Sequence, residues 1–211
     1  MTKENAEGSS KALKSRLSKY QESVLVGTIL GDGCLAQHGN FHRLHIKHSA
    51  AQEDLVRFKY SAFREYITMP LHRFDQKLQG KKYPCIQFAT RTNPVFSDWH
   101  GRFYKGKRKI VPADVVSLLD PISLATWLMD DGSADHWGVT IQTHGFSKPE
   151  CDILIAALGE STGLAVSKRR NRGNYILYMG SDQIESLVAL VGDLVLPSLQ
   201  YKLKPIRFRT P

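Results

Sequence analysis

The sequence predicts an α+β protein that consists of two pseudo-symmetric subdomains, each with the element order αββαββα. Three observations indicate this fold class. The same succession of helix and strand patterns occurs twice along the chain, which is the signature of an internal repeat. Each succession begins with an apolar helix that ends in Asp-Gly, at Asp32 in the first copy and at Asp131 in the second. Short alternating strands separated by turn residues follow each helix, so we expect antiparallel sheets.

The predicted subdomains occupy residues 19–119 and 120–211, and the second ends in a basic tail. Asp120 and Pro121 mark the boundary, because Asp is a good helix N-cap and Pro is tolerated at the first helical position. Residues 1–18 are polar and lack the apolar core of a secretory signal. We expect them to form a flexible N-terminal arm, although their composition also fits a poor organellar presequence or a disordered segment.

The elements of the first subdomain follow from its periodicity and its turn residues. Residues 19–30 have the pattern of an amphipathic helix, and Gly39 and Asn40 form the turn of a β-hairpin. Apolar residues then recur at helical spacing before a second strand pair, which turns at Gln79 and Gly80. The remaining predicted elements are strands 34–37 and 42–48, a helix around 55–63, strands 69–76 and 83–90, and helix 95–104.

The second subdomain has the same order of elements. Its first helix starts at Asp120 and Pro121 and runs to Asp131, and residues 172–174 form the turn of its last hairpin. Pro197 ends the final helix, because proline cannot continue one. The other predicted elements are strands 134–137 and 139–144, helix 148–162, strands 165–170 and 175–180, and helix 182–196.

The charge balance favours a polyanionic partner. Lys and Arg number 29 against 20 Asp and Glu, for a net charge of +9, and basic side chains that contact phosphates release condensed counterions. The three cysteines are widely spaced, which argues against a disulfide framework or a zinc site and fits a reducing compartment. No uncharged apolar run reaches the roughly 18–20 residues of a membrane span. We therefore expect no membrane partner and an intracellular location, in an organelle matrix or a prokaryotic cytoplasm.

The acids at the ends of the two apolar helices are the strongest functional signal. A helix C-terminus carries partial negative charge, so a carboxylate there is disfavoured by up to about 1 kcal/mol. Glycine after each acid is the usual left-handed helix terminator, which by itself implies no function. Small residues at helical spacing, Ser23, Gly27 and Gly31 in one helix and Ala125 and Thr126 in the other, would let the helices approach closely. Two carboxylates brought together in this way would favour a divalent cation between them.

Residues 25–33 and 124–132 resemble the LAGLIDADG motif, and the chain is similar to the two-motif, single-chain branch of the LAGLIDADG homing endonuclease family. The resemblance extends over about residues 20–204. It is strongest around the second motif and in residues 196–203, which are similar to the omega-intron type of enzyme. The second copy departs from the motif at its third position, where Thr126 replaces glycine.

The resemblance implies that the motif helices pack against each other and that the antiparallel sheets form a DNA-binding saddle. It implies a metal-dependent endonuclease that hydrolyses both strands of a long, asymmetric DNA target. Asp32 and Asp131 correspond to the catalytic, metal-binding acids. The expected cofactor is Mg²⁺, for which Mn²⁺ can substitute, and Gly31 and Asp130 are the other predicted ligands. Asp130 is an extra acid that we expect at the periphery of the site.

Two lysines correspond to the active-site lysines of the family. Lys109 follows two basic residues in the first half, and Lys202 lies in residues 200–203 of the second. A lysine there can orient water or stabilise the pentacoordinate phosphate as a point charge. The alternative is that each lysine only contacts the DNA backbone or solvent.

DNA recognition is expected from the exposed strand faces, because the two-residue period of a strand aligns side chains that can reach base edges in the major groove. The loop 105–109 and the tail 202–209 are expected to bind phosphates. The residues predicted to contact DNA are Arg43, His45, Lys47, His48, Arg73, Gln76, Gln87, Arg91, Lys107, Arg108, Gln142, His144, Lys168, Arg169, Arg170, Lys204 and Arg207.

Two other functions remain compatible with the sequence. An intron maturase would use the same fold to bind its own intron RNA, and one protein can have both activities. A DNA-binding regulator that has lost cleavage would often lack one of the two acids, whereas Asp32 and Asp131 are both present. Because both motifs lie in one chain, we expect a monomer that binds double-stranded DNA.

Overall fold

The computed structural model of the chain describes residues 16–205, and these residues form two halves with the same element order. The predicted N-terminal arm lies almost entirely outside the described residues. The elements of the first half are α1 (Lys19–Leu30), β1 (Cys34–His38), β2 (Phe41–Ser49), α2 (Glu53–Ala62), β3 (His72–Leu78), β4 (Lys81–Ala89) and α3 (Pro94–Phe103). A short hairpin, β5 (Tyr104–Lys105) and β6 (Arg108–Lys109), leads to the second half.

The second half repeats this succession and ends in a 3₁₀ segment. Its elements are α4 (Pro121–Asp131), β7 (Gly132–Ala134), β8 (Val139–Gln142), α5 (Lys148–Thr162), β9 (Ser167–Asn171), β10 (Asn174–Met179), α6 (Ile184–Val191) and the 3₁₀ segment Pro197–Leu203. The α+β fold and the order αββαββα are therefore confirmed. Several bounds differ from the prediction. Strand β3 starts at His72 instead of at residue 69, β7 starts directly after α4 instead of at residue 134, and β8 ends at Gln142 instead of at residue 144. Helix α6 ends at Val191 instead of at residue 196, before Gly192 and Asp193, which are poor helix formers.

Each half contains one four-stranded antiparallel sheet, and the two sheets have equivalent strand orders, β1-β2-β4-β3 and β7-β8-β10-β9. One face of each sheet is covered by helices. Along β2, the buried Leu44 and Ile46 alternate with the more exposed Arg43, His45 and Lys47. The opposite faces are open, so each sheet has the one-sided burial that is common in antiparallel sheets.

The helices α1 and α4 begin at well-formed N-caps. Ser18 and Gln21 form a capping box at α1, and Asp120 and Ser123 form one at α4, where Pro121 occupies the first turn. The hydroxyl of Ser23 in α1 donates a hydrogen bond to the Asp120 carboxylate. Because α1 thus contacts the N-cap of α4, the two helices start at the same end of their contact.

The two helices are in backbone contact at Gly27. A Cβ atom at this position would lie 2.3 Å from the carbonyl oxygen of Ser123 and 2.7 Å from Cβ of Thr126. One turn later, a Cβ at Gly31 would lie 2.5 Å from Oδ2 of Asp130. These contacts confirm that the small residues allow close approach, and they show that the helices run side by side in the same direction.

The glycines that follow the two acids do not terminate the helices in the predicted way. Gly132 has a φ of −70° and a ψ of 145°, and Gly33 is not among the described residues with positive φ. The chain instead continues in an extended conformation into β1 and β7. Gly132 is required by close approach, because a Cβ there would lie 2.4 Å from the carbonyl oxygen of Leu128.

A polar cluster around Glu150 joins the segment after α3 to α5. The Arg108 guanidinium donates two hydrogen bonds to the Glu150 carboxylate, at 2.9 and 3.2 Å. Ser147 and the backbone N–H of Val111 donate to the same carboxylate. Burial alone would raise the pKa of Glu150, but these hydrogen bonds outweigh it and lower the pKa to about 2.

The hydrophobic core is shared by the two halves. Its buried residues form one cluster, in which Trp127 of α4 and Phe96 of α3 are fully buried. Within residues 16–205, none of the helices combines the length and the apolar character needed to cross a bilayer.

Candidate active site

One carboxylate from each half lies at the end of the α1–α4 contact. Asp32 follows the end of α1, and Asp131 is the last residue of α4. Because the two helices run in the same direction, both acids line one cleft, which has a volume of about 220 Å³. Lys109, Gln142 and His144 line the same cleft. The structure therefore brings these five predicted residues, together with the predicted ligand Gly31, into one place.

The surroundings of Asp131 oppose its ionisation. Burial, together with the nearby carboxylates of Asp32 and Asp130, raises the pKa of Asp131 to about 7, and Lys109 and Lys202 offset only part of this effect. Asp32 is more open, with 53% of its side chain exposed. Negative charge is therefore concentrated around one half-buried carboxyl group, which is the condition that a bound cation would relieve.

The two predicted lysines make equivalent contacts in the two halves. Lys109 Nζ donates a hydrogen bond to the carbonyl oxygen of Gly31 at 2.6 Å, and Lys202 Nζ donates to those of Met129 and Asp130 at 2.6 and 2.9 Å. Both ammonium groups thus stabilise carbonyl groups at helix C-termini, where the partial charge is negative. Burial lowers the pKa of both lysines, although the neighbouring carboxylates oppose this change.

Asp130 lies at the centre of the site, not at its periphery as predicted. Its side chain is fully buried, and both carboxylate oxygens accept hydrogen bonds from Lys59 Nζ of α2, at 2.5 and 2.7 Å. Lys59 was not predicted as part of the site. The signal for it is its position four residues after the buried Leu55 on the apolar side of α2, where an unpaired lysine would be costly.

His48 lies beside the acids instead of on the open face of the sheet. Its side chain is 2% exposed, with Nδ1 3.7 Å from Oδ2 of Asp32 and Nε2 3.6 Å from Oδ1 of Asp130. Asp32, His48 and Asp130 offer possible ligand atoms within 4.8 Å of one another. Burial and the positive charge of Lys59 lower the pKa of His48. The prediction that His48 contacts DNA is therefore corrected, because its side chain faces the helices.

The open faces of the two sheets carry polar side chains with a two-residue spacing. In the first sheet, Lys47 of β2 lies opposite Gln87 of β4, which lies opposite His72 of β3. Arg91, just beyond β4, lines a depression of about 550 Å³ on this face. The predicted DNA contacts that belong to the open faces are Arg43, His45, Lys47, Gln76, Gln87 and Arg91 in the first half, and Gln142 and Arg169 in the second.

Three basic residues predicted to contact DNA belong to the helix-facing side of the sheets, namely Arg73, Lys168 and Arg170. Arg73 forms an ion pair with Glu53 of α2, and Lys168 forms one with Asp152 of α5. Arg169 lies opposite Ile176, so its neighbours on β9 point to the other face of the sheet. These three predictions are corrected, because consecutive residues of a strand cannot share a face.

The remaining predicted contacts lie outside the sheets. Lys107 is exposed in the β5–β6 turn, His144 is exposed beyond the end of β8, and Lys204 is exposed after the 3₁₀ segment. Arg108 is engaged by Glu150 while 55% of its side chain remains exposed. Arg207 lies outside the described residues.

The chain is similar to known DNA endonucleases and to an mRNA maturase. The model of the LAGLIDADG DNA endonuclease family matches residues 22–187. The probable intron-encoded endonuclease 1 of Wickerhamomyces canadensis is 31% identical over 200 residues, which cover 89% of this chain and 85% of that protein. The cytochrome b mRNA maturase bI2 of Debaryomyces hansenii is 26% identical over 195 residues, which cover 89% of this chain and 74% of the maturase.

A solved structure has the same architecture over nearly the whole chain. The homing endonuclease I-WcaI, bound to its DNA recognition sequence, superposes with a TM-score of 0.86 and 28% sequence identity. The superposition covers 91% of this chain and 89% of that one.

Proposed function

Because this chain belongs to the LAGLIDADG DNA endonuclease family, whose model matches residues 22–187, we propose that it is an intron-encoded homing endonuclease. It hydrolyses phosphodiester bonds in both strands of a long, asymmetric double-stranded DNA target. The observation that carries this proposal is that Asp32 and Asp131, one from each half, line a single cleft at the end of the α1–α4 contact. Two equivalent sheets flank this contact and can place one strand of a duplex near each acid.

The donor set of the cleft fits a divalent cation, and we propose Mg²⁺, with Mn²⁺ as a substitute. Carboxylates are ligands that Mg²⁺ prefers. Burial and the carboxylates of Asp32 and Asp130 raise the pKa of Asp131, and a bound cation would favour its ionised form. Gly31 and Asp130 would contribute their carbonyl oxygens, because Lys59 engages both carboxylate oxygens of Asp130. The same two carbonyl oxygens accept hydrogen bonds from Lys109 and Lys202, so these lysines would lie beside the cation. When bound, the metal supplies an activated water and neutralises charge on the scissile phosphate.

The chain's own residues have separate tasks in this proposal. Lys109 and Lys202 present positive charge at the cleft and stabilise the charge that develops on the phosphate. Gln142 and His144 line the cleft and can hold the attacking water by hydrogen bonds. In this proposal the two lysines neither donate nor accept a proton during the reaction. They act as fixed positive charges.

DNA binding is proposed for the open sheet faces and the adjoining basic loops. Arg43, His45, Lys47 and Gln87 of the first sheet, and Arg169 of the second, can reach base edges. Lys107, Lys204 and Arg207 would contact phosphates and position the duplex. We propose that the chain acts as a monomer, with residues 19–119 and 120–211 as its two subdomains, because both acids of the cleft come from one chain.

A maturase activity is the second candidate function. It is favoured by the similarity to the cytochrome b mRNA maturase bI2 of Debaryomyces hansenii, which extends over 89% of this chain. The RNA partner would be the chain's own intron. The two acids do not decide between the activities, because one protein can bind intron RNA and also cleave DNA.

The experiment that tests the endonuclease function is a cleavage screen of randomised duplexes with Mg²⁺ and with EDTA. We expect double-strand cleavage of a discrete set of sequences with Mg²⁺ and none with EDTA. Asp32→Asn and Asp131→Asn should each abolish double-strand cleavage and leave DNA affinity within about threefold, because most affinity comes from phosphate contacts. Full activity of either variant would remove that acid from catalysis. Splicing of an intron-containing RNA by a cleavage-deficient variant would show the maturase activity separately.

A further inference from the structure

We propose that Lys59 is a positioning residue for strand cleavage, which acts through its buried ion pair with Asp130. Lys59 lies in α2, outside both motif helices, and does not line the cleft. The proposal rests on the endonuclease function proposed above. It assigns a role in cleavage to α2, which is neither a motif helix nor part of an open sheet face.

The burial of this ion pair is complete on both sides. The side chains of Lys59 and Asp130 are each 0% exposed, and the ammonium group donates to both carboxylate oxygens. Such a pair is expensive to desolvate, and a hydrophobic pair of similar volume often gives equal or greater stability. Stability alone therefore does not explain why two charges occupy the centre of the molecule.

The Asp130 carboxylate also contacts the backbone of Asp32. The backbone N–H of Asp32 donates a hydrogen bond to Asp130 Oδ2 at 3.2 Å. Asp130 is also the neighbour of Asp131 in the chain, and its carbonyl oxygen accepts the hydrogen bond from Lys202. By fixing the Asp130 carboxylate, Lys59 therefore holds the peptide group of Asp32. It also holds the last turn of α4, which carries Asp131.

The site for this carboxylate exists because the two motif copies differ at the position before the acid. The residue before the acid is Gly31 in the first copy and Asp130 in the second. A Cβ at Gly31 would lie 2.5 Å from Oδ2 and 2.6 Å from Cβ of Asp130. The space that glycine leaves is therefore filled by the aspartate of the other half, and Lys59 of the first half supplies the counter-charge.

The test uses two variants and one matched control. Lys59→Met removes the charge but leaves a buried carboxylate without its partner, so we expect a lower melting temperature. Lys59→Met combined with Asp130→Asn leaves a neutral pair of similar volume, which should recover most of the loss of melting temperature. Lys19→Met is the control, because Lys19 forms an exposed ion pair with Glu22 and its side chain is 97% exposed.

The first readout does not depend on activity. In metal-free protein without DNA, the backbone amide of Asp32 should be shifted downfield in ¹H–¹⁵N spectra by its charged acceptor. We expect this signal to move upfield in the double variant and to stay unchanged in the Lys19→Met control. An unchanged Asp32 amide in the folded double variant would overturn the proposal, because the pair would then not set the position of this residue.

The second readout separates positioning from folding and from metal binding. For the folded double variant we expect a maximal single-turnover cleavage rate about 10- to 100-fold below wild type at saturating Mg²⁺, with DNA affinity in EDTA within about threefold. A maximal rate within about threefold of wild type would overturn the proposal, since the pair would then serve only folding. Recovery of the full rate at higher Mg²⁺ would also overturn it, because the side-chain carboxylate of Asp130 would then act as a metal ligand and not as the partner of Lys59. If the wild-type chain cleaves no duplex, the endonuclease function fails, and the Asp32 amide still decides whether the Lys59–Asp130 pair positions this residue.

Discussion

At the scale of single residues, the ionisation of Asp131 links the stability of the protein to its proposed activity. The pKa of Asp131 is about 7 in the folded protein, whereas an aspartate in an unfolded chain has a pKa of about 3.9. Between these values the folded protein retains a proton that the unfolded chain has released. The contribution of Asp131 to stability therefore falls as the pH rises from about 4 to about 7, and it is constant above that range.

We predict that Asp131→Asn raises the melting temperature in EDTA at pH 8 and has little effect near pH 4. The reason is that asparagine avoids burying a third negative charge beside Asp32 and Asp130. With Mg²⁺ the wild type should instead have the higher melting temperature, because only its carboxylate binds the cation. Thermal melts over this pH range, with and without Mg²⁺, measure both effects. Asp193→Asn, at an exposed position outside the cleft, is the control. The prediction would be contradicted if the melting temperatures of the wild type and Asp131→Asn had the same dependence on pH.

We predict that Lys109→Met and Lys202→Met slow cleavage by about 100-fold or more but change DNA affinity by less than about threefold. Both ammonium groups are held by helix-end carbonyls inside the site and contribute little to the outer surface. Lys107→Met, in the exposed β5–β6 turn, should instead weaken binding more than it slows the bound-state rate. Single-turnover rates and binding isotherms provide the comparison. Equal losses in rate and affinity would make Lys109 or Lys202 a phosphate contact.

Residues near a motif could be predicted from the sequence, but their partners from distant segments could not. Asp32 and Asp131 are marked by local patterns at two helix ends. Lys59 and Asp130 are 71 positions apart, so their pairing depends on how α2 packs against α4. For the same reason His48 was assigned to the wrong face of β2. A single sequence contains no direct information about which buried charges meet.

At the scale of secondary structure elements, the function depends on how closely α1 approaches α4. At Gly27 the backbone of one helix touches the other, and a Cβ atom would lie 2.3 Å from a carbonyl oxygen. A wider separation here would also separate the ends of the helices, where Asp32 and Asp131 lie. A displacement of about 1 Å at a catalytic site can reduce the rate by about 100-fold.

We predict that Gly27→Ala destabilises the protein by about 1–3 kcal/mol and reduces cleavage by about 10- to 100-fold. Gly101→Ala is the matched control, because Gly101 lies in α3 and a Cβ there meets no other atom within 4 Å. It should stabilise the protein by about 0.5–1 kcal/mol, as alanine favours helix over glycine. Chemical denaturation and single-turnover cleavage measure the two effects. A Gly27→Ala variant as stable and as active as Gly101→Ala would contradict the predicted contact.

The order of the elements could be predicted with greater accuracy than the direction of their side chains. The helices Lys19–Leu30 and Lys148–Thr162 have the predicted bounds, because caps and periodicity are local properties. On strands, an uncertainty of one residue in the register moves every side chain to the other face. The predicted run Lys168, Arg169 and Arg170 therefore contained residues from both faces of β9.

At the scale of the whole molecule, the two sheets differ in length. In the first sheet β2 and β4 have nine residues each, whereas in the second β8 has four and β10 has six. At about 3.3 Å per residue, the longest strands extend about 30 Å in the first sheet and about 20 Å in the second. Since base pairs are spaced by about 3.4 Å, this difference corresponds to about three base pairs of DNA.

We predict that the half of the target bound by the first subdomain contains about three more sequence-sensitive positions than the other half. Cleavage of a library with single substitutions at every position of the target counts these positions. Lys47→Ala and Arg169→Ala, on the open faces of the first and second sheets, identify which half belongs to which subdomain. Equal numbers of sensitive positions in the two halves, or more on the side affected by Arg169→Ala, would contradict the prediction.

The difference between Gly31 and Asp130 also determines how the chain can be redesigned. A symmetric protein built from two copies of the second half would place two aspartate side chains in a space that holds one, because a Cβ at Gly31 already lies 2.5 Å from the carboxylate. Two copies of the first half would bury two lysines without an acid between them. Each half is therefore an obligate complement of the other, and a split or re-fused enzyme must retain one of each.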